Sequence, residues 1–224
     1  MSPRPNPRLS PLMIAVFARA PVPGLAKTRL IPRLGADGAA RLQAVLAEQA
    51  LTRACAVPDA QITLWIAGDI DSALAAAFVT DNVRRFGIAV RQQTGADLGA
   101  RMQVAASAAK AAGRHLIIIG TDCPAQTPAD LIEAHALLEH SDVVLQPALD
   151  GGYVLIGLRP SIHSYDAIFG DIEWGTEEVL SATRARLHTA KLSFRELRAL
   201  PDLDRGEDLD HALAEGWIRE EELR

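Results

Sequence analysis

Aromatic residues make up only 4% of the 224-residue sequence, which leaves little material for stacking the bases of a nucleic-acid strand. Positive charge is not in excess either. The 23 Lys and Arg face 28 Asp and Glu, for a formal net charge of -5, so the basic stripe of a DNA or RNA binder is missing. The two cysteines, Cys55 and Cys123, make no disulfide framework in a chain of this length. Neither belongs to a C-x-x-C pair, which argues against a structural zinc centre. The six histidines are scattered without ligand spacing. His135 shares a helical face with Leu131 and Leu138 and reads as a packed histidine. No apolar run approaches the about 18–20 residues of a membrane span. The first apolar run, LMIAVFA at 12–18, is short and meets Arg19, unlike a secretory leader. These absences point to a cytoplasmic protein that engages neither nucleic acid nor membrane.

What is present is an apolar chain, 49% hydrophobic, sufficient for one well-buried core. The Pro- and Arg-rich residues 1–11 read as a disordered tail, and residues 12–224 as a single domain. Strand-like runs at 12–18, 62–67, 88–93, 115–119, 142–149, 153–158 and 191–197 alternate with helical patterns. The helices are expected at 39–54, 71–79, 98–112, 128–140, 176–189 and 206–215. Such alternation predicts a three-layer α/β fold with a mostly parallel sheet. The short connection through Gly151 and Gly152 adds some antiparallel pairing late in the sheet.

Chemistry concentrates at strand ends. Leu116, Ile117, Ile118 and Ile119 run without alternation, as in a strand covered on both faces, and then meet Gly120, Thr121 and Asp122. In open α/β sheets, ligands bind outside the carboxyl ends of such strands. The first strand is followed by ARAPVPGLAKTRL at 18–30, where Gly24 lets the backbone approach a polyphosphate and Arg19, Lys27 and Arg29 supply cations. A P-loop is excluded because Ala26 stands where a glycine must precede the lysine. TGADLGARM at 94–102 places Asp97 and Gly99 at another strand-to-helix junction. There they either cap a helix or form a rim for a nucleotide base. PALDGGYVLIG sets Asp150 at a strand exit, and DLDRGEDLDHAL at 202–213 supplies a late acidic cluster. Asp122 with Asp202 or Asp204 offers hard oxygen ligands for one cation. Asp204 and Glu207 have the spacing of a helix capping box, Trp174 suits stacking on a sugar, and Cys123 reads as a reduced structural thiol.

Taken together and in order, FARAPVPGLAKTRL, DLGARM, GTDCP, PALDGGYVLIGL, Trp174-Gly175-Thr176 and DLDRGEDL resemble the radical-SAM/selenodomain-associated transferase family. That family is nucleotide-diphospho-sugar transferase-like and has the glycosyltransferase-A fold. The resemblance runs from Met13 to about Leu213. It implies a Rossmann-like nucleotide-binding half with Lys27 and Arg29 near phosphates, and the residue reading adds Arg19, Gly24, Asp97 and Gly99 around the nucleotide. It further implies that Asp122 stands where related folds place a metal-binding aspartate; beside it, the residues themselves lead to the expectation of Mg²⁺ or Mn²⁺ on Asp122 and Asp204, Asp150 as the catalytic base, and Gly151, Gly152 and Trp174 near the acceptor. The sequence departs from the family at Gly175, where Ser or Thr is usual, and at Asp204-Arg205-Gly206-Glu207. Asp122 has no second aspartate two residues away.

Three functions are compatible with these residues. One is a glycosyltransferase moving a sugar from a nucleotide-sugar to a small-molecule acceptor. Another is a guanylyltransferase-like nucleotidyltransferase, in which a nucleoside triphosphate reacts with a small phospho-acid. The third is a non-catalytic nucleotide-binding protein, since fold does not dictate function.

Overall fold

A computed structural model describes residues 9–68 and 72–223. Seven strands, β1 (Leu12–Arg19), β2 (Gln61–Ala67), β3 (Ala89–Gln92), β4 (His115–Ile119), β5 (Val143–Pro147), β6 (Tyr153–Leu158) and β7 (Phe194–Glu196), form one sheet in the order β3-β2-β1-β4-β6-β5-β7. Four of its six pairings are parallel, and β6 runs antiparallel to both β4 and β5. The expected three-layer α/β fold is therefore present.

The helices are α1 (Ile31–Cys55), α2 (Ala73–Phe86), α3 (Leu98–Ala111), α4 (Pro128–Leu138), α5 (Asp166–Phe169), α6 (Val179–Thr189) and α7 (Gly206–Ala214). Strand alternation divides the core. Leu12, Ile14, Val16 and Ala18 of β1 pack with α1, α2 and α4, whereas Met13, Ala15 and Phe17 pack with α3, α5 and α6. Both faces are covered, which is why β1 and β4 read as continuous apolar runs. A third cluster joins Leu30, Leu42 and Leu46 to Leu203, Leu209 and Ala212, so that α7 docks on α1.

Several boundaries differ from the sequence reading. Helix α1 starts eight residues before the expected 39 and has a break at Gly35, whose φ of 69° is non-helical. Helix α2 extends to Phe86, where Gly87 in the left-handed region ends it. The tail expected over residues 1–11 lies outside the described residues as far as residue 8. Ser10 and Pro11 are held. The Ser10 N–H donates to Glu139 at 2.7 Å, and the His115 N–H donates to the Pro11 carbonyl at 2.9 Å.

Chain order places the site. After β1 the chain builds β2 and β3 on one side, then crosses to lay β4 on the other. The reversal between β1 and β4 opens a crevice at their carboxyl ends, the usual ligand position in such sheets. At the opposite end of β4, His115, His135 and Glu139 bring one donor atom each within 4.8 Å of the others. Ser10 occupies most of that cluster: Glu139 accepts its N–H and hydroxyl, and the His135 Nε2 lies 2.8 Å from its carbonyl. No described helix is long and apolar enough to cross a membrane.

Candidate functional site

The loop after β1 turns through Leu25 and Ala26 N–H groups, which both donate to the Val22 carbonyl. Gly24 takes φ +79°, with open space where a side chain would stand. Lys27 also takes a left-handed backbone, φ 47°, a conformation unfavourable for a lysine. It aims the side chain inward, leaving it only 5% exposed. The Lys27 Nζ lies 2.9 Å from Asp122 Oδ1 and 3.3 Å from Asp204 Oδ1, and also donates to the Leu203 carbonyl. Arg29 donates to the other Asp204 oxygen at 3.0 Å. Two carboxylates and two cations thus meet at one point.

The loops that carry those carboxylates are tied by their backbones. Leu203 N–H donates to the Asp122 carbonyl at 2.7 Å, and Leu203 is anchored in the α1–α7 cluster. Thr121 donates to Asp122 Oδ1 at 3.1 Å and accepts from Gln43 of α1 at 3.2 Å. The start of α7 is capped by Asp208, which accepts from the N–H groups of Asp204 and Arg205 at 2.9 and 2.7 Å. The capping acid is therefore Asp208 rather than Glu207, one residue further on than the sequence spacing suggested. The Asp204 side chain takes no part in that cap and pairs with Lys27 and Arg29.

These groups line a cleft of about 610 Å³ together with Arg19, Gly24 and Asp122. It also holds Gln93 and Arg101, which the sequence reading did not single out. Gln93 Nε2 donates to the Ala18 and Trp65 carbonyls at 3.3 and 2.9 Å, sealing the ends of β1 and β2. Its place as the last residue of the expected strand 88–93 was the available signal; the strand itself ends at Gln92.

A second cavity of about 630 Å³ shares Arg29 and Asp204 with the cleft. Its wall holds Asp150, Glu177, Asp202, Asp204, Glu207 and Asp208. Asp150 Oδ1 accepts from the Gly152 N–H at 2.9 Å. Burial, then repulsion from Asp150, pushes the Asp202 carboxyl up to about 6, with Asp204 and Asp208 adding to it. Its folded proton affinity thus exceeds the unfolded one, so the stability it contributes is complete below about pH 4 and is lost as pH rises through about 6. Asp202→Asn is therefore expected to be more stable than wild type at pH 7.5, by about 1–2 kcal/mol after solvent screening. The gap should close as pH falls towards 4 in thermal melts. A pH-independent gap would assign the effect to something other than this carboxylate.

Other sequence candidates stand elsewhere. Asp97 caps α3, accepting the Ala100 N–H at 2.8 Å. Gly99 is buried, and a Cβ there would lie 2.8 Å from both the Phe169 carbonyl and Trp174 Nε1. Neither lines the cleft. Trp174 packs edge-on to Tyr153, ring centroids 6.5 Å apart, and tilted against Phe169 at 6.4 Å; its neighbours Gly175 and Thr176 line the second cavity. Gly151, φ +92°, passes so close to Glu177 that a Cβ would sit 2.1 Å from its carbonyl oxygen. Cys123 is 3% exposed, and burial pushes its thiol up to about 11, as befits an unreactive structural cysteine.

Comparison with known proteins agrees with this architecture. The profile of the DUF2064 family, described as an uncharacterized protein conserved in bacteria, matches residues 34–176, and the chain belongs to that family. No curated protein sequence matches it. Among solved structures, one described as a "putative nucleotide-diphospho-sugar transferase" from Desulfovibrio desulfuricans G20 is 29% identical. The match covers 90% of this chain and 86% of that one, with a TM-score of 0.80. A CMP:2-keto-3-deoxy-manno-octonic acid synthetase complexed with CTP shares the fold at 15% identity, TM-score 0.57, covering 92% and 98% of the two chains. Rv0371c of Mycobacterium tuberculosis H37Rv, in complex with manganese, does so at 18% identity, TM-score 0.50, covering 90% and 98%.

Proposed function

We propose that this DUF2064 protein transfers a sugar from a nucleotide-sugar to a small hydroxyl acceptor, and that it belongs with the radical-SAM/selenodomain-associated transferases within that family. The observation that carries the reading is the meeting of Lys27, Arg29, Asp122 and Asp204 at the wall between two cavities. The cleft at the β1–β4 reversal receives the nucleotide, with Arg19, Lys27 and Arg29 serving its diphosphate. The acid-lined second cavity receives the acceptor. Its six carboxylates outnumber its two arginines, Arg29 and Arg205, so a phospho-acid acceptor is repelled there and a neutral or cationic polyol is favoured. That charge balance favours sugar transfer over transfer of a nucleotidyl group to a phospho-acid.

Asp122 and Asp204 offer the hard oxygens that suit Mg²⁺ or Mn²⁺. Both already face a single cation, the Lys27 ammonium, so the donor set fits an ion. When bound, such an ion supplies neutralisation of the leaving diphosphate. The protein's own residues do the rest. Lys27 and Arg29 stabilise charge on the phosphate oxygens, Gly24 admits them to the backbone, and Asp150 accepts the acceptor's hydroxyl proton.

Calorimetric titration of nucleoside diphosphates, triphosphates and nucleotide-sugars, each with Mn²⁺, tests the reading. One nucleotide-sugar should bind, and Lys27→Ala should weaken it by about 1–3 kcal/mol, the range for a charged hydrogen bond. Because Lys27 is buried between carboxylates, affinities are compared per folded molecule. Equal affinity in the variant removes Lys27 from the phosphate site, and binding without any transfer activity would leave a nucleotide-binding protein.

A further inference from the structure

We propose that Lys27 is a resident counter-cation that keeps a divalent ion off Asp122 and Asp204 until nucleotide phosphates draw it away. The inference rests on the functional reading above and adds an order of events to it. A lysine ammonium has three N–H donors and no acceptor. In this protein the ammonium donates to Asp204 Oδ1 and the Leu203 carbonyl and forms an ion pair with Asp122 Oδ1 at 2.9 Å. The side chain is 5% exposed, so solvent does little to screen its charge.

A divalent ion on Asp204 would share an oxygen with this ammonium or with Arg29, and one on the second oxygen of Asp122 would sit next to the ammonium. Two cations cannot sit so close without repelling one another, even with the Asp122 and Asp204 side chains 48% and 37% exposed. Nor does the pair carry spare negative charge, since Arg29 holds the second Asp204 oxygen at 3.0 Å. Two carboxylates are matched by two fixed cations. The metal alone is thus a weak ligand for the nucleotide-free protein.

Nucleotide phosphates change the balance. They enter the cleft that Lys27 lines and offer several charged acceptors to the same ammonium. As Lys27 turns to them, Asp122 and Asp204 are left with uncompensated charge, which the ion then satisfies. Lys27 consequently makes the two ligands bind in order, nucleotide first. The coupling is reciprocal, so each ligand raises the affinity of the other by the same factor.

The decisive measurement uses Mn²⁺ alone, with no nucleotide, followed by the loss of free Mn²⁺ signal in electron paramagnetic resonance. Lys27→Met, which keeps the apolar stem and removes the charge, is expected to bind Mn²⁺ at least tenfold more tightly than wild type. Lys27→Arg keeps a cation and should stay as weak as wild type. Adding Asp122→Asn to Lys27→Met should abolish the gain. If Lys27→Met does not fold, Lys27→Gln carries the same expectation. Unchanged or weaker Mn²⁺ binding in a folded Met or Gln variant overturns the proposal. Failure of the functional reading is seen separately, in the nucleotide titrations of the wild-type protein, which do not enter this measurement.

Discussion

Asp150→Asn is expected to bind donor and Mn²⁺ as wild type does and to transfer sugar about 10²–10⁴-fold more slowly, the span attributed to a positioned general base. Asp150 is exposed at the mouth of the acidic cavity, with one oxygen held by the Gly152 N–H at 2.9 Å. That single bond orients the carboxylate, and the proposed role gives its second oxygen to an acceptor hydroxyl. An ordinary aspartate is a weak base near neutrality. Here Asp202, pushed up to about 6 by burial and then by repulsion from Asp150, stands in the same cavity. Single-turnover kinetics with the cognate donor separate transfer from binding. Full transfer by Asp150→Asn would remove it from the mechanism, whereas loss of donor binding would make it a binding residue.

Gly151→Ala should lower stability by about 3 kcal/mol or more, since it combines backbone strain with overpacking. Two independent costs act at that position. A φ of +92° is rarely open to a side chain, and the added Cβ would lie 2.1 Å from the Glu177 carbonyl oxygen. Backbone cannot yield as the tip of a flexible side chain can. The contact also carries a hydrogen bond from the Leu180 N–H to the Gly151 carbonyl at 2.9 Å, which joins the β5–β6 turn to the start of α6. The melting temperature should fall by about 6–12 °C, given about 2–4 °C per kcal/mol for a domain of this size. Gly152→Ala is the control. Its Cβ meets only the Asp150 side chain, 3.2 Å away at the nearest atom, so it should melt close to wild type while slowing transfer. Equal melting of the two variants would sink the argument.

These two glycines also show what the sequence could and could not convey. Their tight turn was legible, because Gly-Gly between apolar runs has a conformational reading of its own. The approach of Glu177, 26 residues later, was not. The same division holds across the molecule. The unbroken Leu116–Ile119 run and the β-α alternation determined a sheet covered on both faces, since burial on two sides leaves no polar period. The strand-end rule then put Asp122 and the Pro/Gly loop at one end of that sheet.

Tertiary structure decided which side chains meet. Lys27 reaches Asp204 across 177 residues only because Leu203 is anchored against α1 and its N–H bonds the Asp122 carbonyl. Asp208, not Glu207, caps α7, and Asp204 rather than Asp202 lies beside Lys27. Asp97 and Gly99, in contrast, were taken up by a helix cap and by close packing on Trp174. Local pattern reports which face of a strand or helix is buried. Pairings between distant loops depend on how the layers pack, and residue spacing along the chain does not encode that.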